Sequence, residues 1–160
     1  PAGTRNFKVN ATGTTTTVID ADVAVTSGMY YTVMATGPVA SIQPLVLTDD
    51  LTNPAAGNVK VRLVHGAPSA PNVDIYVTAP GADISMMAPT LTDVPFRGYS
   101  DYLEVPAGSY QVRITPTGTK TVALDTGTLA VTAGQIRTGV ALDAAGGGAP
   151  FGAIVLADEN

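Results

Sequence analysis

The chain has 160 residues, enough for one or two domains. Hydrophobic residues make up 45% and charged residues 13%, with a net charge of −5; this excludes a disordered, charge-rich chain and argues against a nucleic-acid partner. No apolar run reaches membrane-helix length, and the absence of cysteine removes disulfides, thiol chemistry and cysteine-bound zinc.

The chain opens on Pro1-Ala2-Gly3-Thr4, which has neither the basic start nor the apolar core of a signal peptide, so a processed or truncated product is expected. A cysteine-free, lysine-poor, Thr- and Val-rich acidic composition suits an oxidising exterior, and an extracellular or cell-surface location is the expectation. Phe7 and Val9 alternate with Asn6 and Lys8, the period-two signature of a half-buried strand. Further strands are expected at 15–20 and 29–35. Residues 52–58, with Pro54 and Gly57, read as a linker. Beyond it Val59, Val61 and Leu63 alternate with Lys60 and Arg62, and Val73, Ile75 and Val77 with Asp74 and Tyr76. Residues 82–88 fit at most one helical turn. Tyr110, Val112 and Ile114 then alternate, and strands are expected at 99–103, 121–124, 129–132, 135–142 and 151–157, separated by Pro-Ala-Gly, Thr-Gly-Thr and Thr-Ala-Gly turns whose glycines suit positive φ.

The chain repeats itself. Pro1-Ala2-Gly3-Thr4 returns as Pro106-Ala107-Gly108-Ser109, Thr12-Gly13-Thr14 as Thr117-Gly118-Thr119, and Ala24-Val25-Thr26-Ser27-Gly28 as Ala130-Val131-Thr132-Ala133-Gly134. Val46-Leu47-Thr48-Asp49-Asp50 then lies against Val155-Leu156-Ala157-Asp158-Glu159. Residues 1–51 therefore read as the C-terminal half of one unit and 59–160 as a complete second unit; nothing in the first copy corresponds to 59–105. The expected fold class is all-β, an immunoglobulin-like β-sandwich in tandem repeat with a truncated first unit. Half a sandwich would leave Phe7, Val9, Val18, Ile19, Val23, Val25, Tyr30 and Val33 partly wet, with open sheet edges.

Val61-Arg62-Leu63-Val64-His65-Gly66-Ala67-Pro68-Ser69-Ala70-Pro71-Asn72-Val73-Asp74-Ile75-Tyr76-Val77 resembles the opening motif of domain-of-unknown-function family 4397, with Gly66 and Ser69 where that family usually has Ala and Asp. Tyr99-Ser100-Asp101-Tyr102-Leu103-Glu104-Val105-Pro106-Ala107-Gly108 resembles its second landmark, an aromatic before a Val-Pro-Ala-Gly turn. The resemblance implies a secreted or surface-exposed microbial sandwich, often in tandem copies, and no enzymatic activity. Motif residues Arg62, His65, Pro68, Pro71, Asp74 and Tyr76 are expected to be structural.

Catalytic parts are few. His65 with Asp74 is the one pair that suggests a base or metal ligand. The competing expectation is that His65 bonds the 67–71 connection and that Asp74 accepts backbone amides there. A single histidine argues against a tight transition-metal site, and no cofactor is expected. Asp49-Asp50 and Asp158-Glu159 lack EF-hand spacing and suit solvated unit ends better than calcium. Ser27, Ser69 and Ser109 lack a nucleophile-elbow context, Gly146-Gly147-Gly148 reads as a loop, and Asn10-Ala11-Thr12 is a formal glycosylation sequon. Tyr30, Tyr31, Tyr76, Tyr99, Tyr102 and Tyr110 would stack on sugars only if several faced one way. The leading expectation is a non-enzymatic structural protein that self-associates by strand exchange or edge pairing, as a fibre, surface layer or stalk subunit. The alternative is an adhesion module that recognises a glycan or surface protein through loops 66–72 and 144–150.

Overall fold

The structure, a computed structural model, describes residues 2–159; Pro1 of the first Pro-Ala-Gly and Asn160 lie outside the described residues. The chain is all-β and forms two compact units, Pro1–Leu51 and Thr52–Asn160.

The first unit holds β1 (Gly3–Asn10), β2 (Thr17–Val25), β3 (Tyr30–Thr36) and β4 (Gln43–Asp49), with a 3-10 turn at Val39–Ser41. They form two separate antiparallel hairpins, β1–β2 and β3–β4. Among the eight side chains expected in its core only Ile19 is fully buried, joined by Leu47; Val9, Tyr30 and Val33 are exposed. On β1 and β2 the polar side pairs up instead, with Asn6 donating to Asp20 and Asp22 at 2.7 and 2.9 Å and Lys8 lying 3.0 Å from Asp20.

The second unit is an eight-stranded sandwich. Its strands are β5 (Asn58–His65), β6 (Val73–Thr78), β7 (Leu91–Val94), β8 (Leu103–Pro106), β9 (Gly108–Pro116), β10 (Leu124–Val131), β11 (Ile136–Leu142) and β12 (Gly152–Glu159). One sheet runs β10–β9–β6–β7 and the other β12–β11–β5–β8. Pairs are antiparallel except β5 with β11, which run parallel. Leu63 and Ala141 from one sheet meet Val73, Ile75, Ile114 and Leu124 from the other to form the core. Residues 52–57 are tied to this unit: Glu104 accepts from the Ala55 amide at 2.7 Å and from the Asn58 side chain at 3.0 Å.

The repeat read from sequence is a repeat of hairpins. Gly3 pairs with Val25 and Thr4 with Ala24, as Gly108 pairs with Val131 and Ser109 with Ala130. Val33 pairs with Val46 as Gly139 pairs with Val155. Thus β1–β2 and β3–β4 repeat β9–β10 and β11–β12 in the same register. In the second unit β9 also pairs with β6, and β11 with β5. Among the described residues β1 and β3 have no such second neighbour.

Three local readings are corrected. The segment expected at 99–103 becomes a strand only from Leu103, because Ser100 occupies the edge of β5: its amide donates to the Leu63 carbonyl and its hydroxyl accepts the Leu63 amide, at 2.9 and 3.0 Å. Of the strands expected at 121–124 and 129–132, residues 121–123 lie outside any strand, while Leu124 starts β10, which runs on to Val131 and is interrupted by a bulge at Gly127, whose φ of 63 glycine adopts without strain. The Thr126 hydroxyl accepts the Val112 amide there, at 3.0 Å, in place of a backbone carbonyl. Gly108 belongs to β9 and does not take positive φ, so the turn at Pro106-Ala107-Gly108 is a corner by which the chain leaves one sheet for the other. Strand β7 was not anticipated: it is four residues long and carries little apolar pattern.

The corner is pinned by Tyr110, whose hydroxyl donates to the Pro106 carbonyl at 2.8 Å, the tyrosine-corner arrangement of immunoglobulin-type sandwiches. Tyr110→Phe is expected to lower stability by about 0.5–1.5 kcal/mol, measured as a shift in the urea midpoint with unchanged far-ultraviolet circular dichroism.

Candidate functional site

The motif residues sit where β5 crosses to β6. His65 ends β5 at 1% exposure, on the same side as Leu63. A carbonyl only accepts, so the 3.1 Å contact between Nε2 and the Pro71 oxygen places the ring proton on Nε2. Nδ1 then accepts the Ala67 amide at 3.4 Å. The Phe96 ring meets the imidazole edge-on, 6.2 Å between centroids. Burial pushes the His65 pKa below its ordinary value, against smaller upward pulls from the Pro71 carbonyl and Asp143. Both ring nitrogens are engaged in bracing the crossover.

Asp74 alternates with Val73 and Ile75 of the core, so it faces away from the sandwich interior, on the opposite sheet from His65. The pair suggested by sequence is not assembled. Asp74 accepts the amides of Asp93 and Gly118, both at 2.9 Å, rather than amides of the 67–71 connection. It thereby holds the end of β7, where Asp93 has φ 53, to the turn after β9.

Tyr76 is on the same outer face, 1% exposed. Lys120 lies over its ring at 4.6 Å, donates to its hydroxyl at 2.9 Å, and also donates to the Met87 carbonyl, which draws the 79–90 loop across the sheet. Arg62, 2% exposed, stacks on Tyr102 at 4.7 Å and donates from Nε to Thr138 at 3.1 Å. Thr138 and Tyr102 both donate to Asp158, at 2.6 and 2.8 Å. Burial and then this bond to Asp158 push the Tyr102 phenol well above its ordinary pKa. Asp158, expected from sequence at a solvated unit end, instead accepts two hydrogen bonds, and Thr138, Tyr102 and Lys120 were not foreseen as partners. The register of β5 with β11, which sets Arg62 beside Thr138, is the information it lacked.

Pro68 and Pro71 bound the 67–71 connection, and its Ser69 reaches Asp143: the hydroxyl donates at 2.8 Å and the amide at 3.3 Å. Loops 66–72 and 144–150 are thus neighbours at one end of the sandwich. Asp49 accepts from Thr32 at 2.9 Å. No three His, Asp or Glu among the described residues converge as a metal site would require. Tyr30 and Tyr99 are exposed while Tyr76 is buried, so the tyrosines are divided between surface and interior.

A second feature was not legible as a motif. Between the two sheets, on the side where β10 and β12 are the edge strands, lies a cavity of about 300 Å³. Leu63, Ile75, Val112, Ile114 and Leu129 form its floor and wall, and Gly139, Ala141 and Ala153 leave it unfilled. Gln135, Arg137 and Thr126 are its polar lining, and no aromatic side chain among the described residues lines it. Val155, paired with Gly139 and facing inward, is 55% exposed, so the sandwich gapes at this edge.

Fold and site together define an all-β protein of sandwich-type units with a buried, internally bonded motif. The family model described as Domain of unknown function (DUF4397) matches residues 1–76 and again 77–160. The chain belongs to that family, with two matches in tandem. The division between them falls inside β6, whereas the compact units part after Leu51. No curated protein matches the chain.

Two outcomes follow for the motif. His65 is the sole histidine, and its depressed folded pKa means the folded state holds it neutral. Its contribution is complete above the ordinary pKa of about 6.5 and falls as pH drops below it, by at most about 1.4 kcal/mol per unit. Urea midpoints from pH 7.5 to 5.5 will fall for the native chain and flatten in His65→Gln. Asp74→Ala, which leaves two amides without their carboxylate, is expected to lose about 1.5–3 kcal/mol in the same assay.

Proposed function

We propose that the protein is a non-enzymatic structural component of the cell exterior whose copies associate by β-strand addition. The observation that carries this is the pair of hairpins β1–β2 and β3–β4. They repeat β9–β10 and β11–β12 in register, and among the described residues they have no neighbours like those that β6 and β5 provide in the second unit. A strand beside β3 in parallel and one beside β1 in antiparallel would complete them; β5 and β6 of a second copy are already flanked on both sides in their own sheets, so what a second copy offers is the β1 and β3 edges of its own first unit, which carry no further strand among the described residues. Backbone pairing supplies affinity in this mode and alternate side chains supply specificity. The exposed Val9, Tyr30 and Val33 give that association apolar area to cover. The engagement of both His65 nitrogens and the separation of His65 from Asp74 support a non-catalytic role. A cysteine-free composition supports the exterior location.

A second reading, adhesion to a glycan or surface protein, is favoured by the Ser69–Asp143 bonds, which hold two loops side by side at one end. A glycan-array signal lost in Asp143→Ala would favour it over assembly.

Light scattering on size-exclusion fractions, with electron microscopy, tests the proposal. The chain is expected to form oligomers or filaments as concentration rises, and a peptide spanning residues 58–78 is expected to shorten them by occupying the β1 and β3 edges. A monomer at every concentration overturns it.

A further inference from the structure

We propose that the gap between β10 and β12 is a binding site for a linear aliphatic chain bearing an anionic head, a medium-chain fatty acid in its simplest form. The inference concerns the second unit alone and is independent of whether the first unit associates.

Three properties select this ligand class. The cavity, at about 300 Å³, is at the lower end of the range for small-molecule sites. It follows the strands: from Arg137 to Ala141, both of which line it, β11 advances four residues, about 13 Å, the shape of an extended chain rather than of a ring system. Its lining is aliphatic, so it offers no stacking surface to an aromatic ligand.

Two of the cavity's three polar residues lie at one end, and the third, Thr126, has its hydroxyl engaged by the Val112 amide. Gln135 and Arg137 lie at the start of β11, whereas Ala141 lies at the far end beside the core. A carboxylate at the Arg137 end would meet a permanent positive charge, while the tail lay over Gly139 and against Val155. Gly139, Ala141 and Ala153 carry too little side chain to fill the slot. A tail there would cover the inward-facing, half-wet Val155. An added strand from a second copy could cover the same edge, and the experiment separates the two occupants.

The probe is sodium dodecanoate, added to the full chain below its micelle concentration and followed by calorimetry and native mass spectrometry. The expected result is one dodecanoate per chain, with no binding of butanoate. Arg137→Gln is expected to weaken dodecanoate about tenfold while leaving dodecanol unchanged. Val155→Trp, a change at a half-exposed, inward-facing position of the cavity lining, is expected to abolish binding of both without altering circular dichroism. Absence of dodecanoate binding overturns the proposal. So does binding that survives Val155→Trp, loss of dodecanol and dodecanoate alike in Arg137→Gln, or self-association through this edge that dodecanoate does not displace.

Discussion

Lys60 to His65 of β5 lie in parallel register with Ile136 to Ala141 of β11. Parallel neighbours cannot be joined by a tight turn, so this contact is made only after most of the unit has been brought round. It sets the first strand between β11 and β8, in the interior of its sheet. Everything distinctive about the motif follows. A strand flanked on both sides buries Arg62, and Arg62 then requires Thr138 and Tyr102. His65 at its end must be satisfied as the chain leaves for the opposite sheet. Without β5 the same sheet would be one hairpin and a detached strand.

This explains how a long, specific motif can exist without chemistry at its centre. Crossing between sheets takes backbone and side-chain polar groups through the dry edge of the core, where each unbonded group is expensive. His65 closes the crossover from inside, and Asp74 and Lys120 fasten the outer face of the second sheet to its loops. Their spacing on the chain reflects which face each strand position takes, and so they resemble catalytic residues in type while being pointed apart.

The fold was largely legible in the residues. Alternation around Val61, Ile75 and Val112 marked the strands, because each has one face on a core. The repeat marked the hairpins, because register follows pattern. What escaped depended on distant neighbours. Ser100 replaces a backbone partner with its hydroxyl, β7 is shaped by its hydrogen bonds to β6 rather than by apolar pattern, and β10 reads as two segments because a bulge breaks its period. The motif residues were identified from sequence, but their partners Thr138, Tyr102 and Lys120 were set by pairings that no local pattern encodes. The cavity escaped for a related reason. Gly139, Ala141 and Ala153 are ordinary strand residues singly, and become a void only when two strands and a second sheet bring them together.

Gly139 has another consequence. In chain order β5 follows β3 and precedes β11, two strands equivalent by repeat, and it pairs with the second. Gly139 pairs with Leu63, and a Cβ placed there would come within 3.3 Å of the Leu63 methyl. The repeat puts Val33 at that position of β3, where the branched side chain would press on the leucine. The side chain that Gly139 lacks thus makes β11 the roomier neighbour for a leucine in this register. A leucine brought beside β3 in the same register meets Val33 instead and has to give by a few tenths of an ångström.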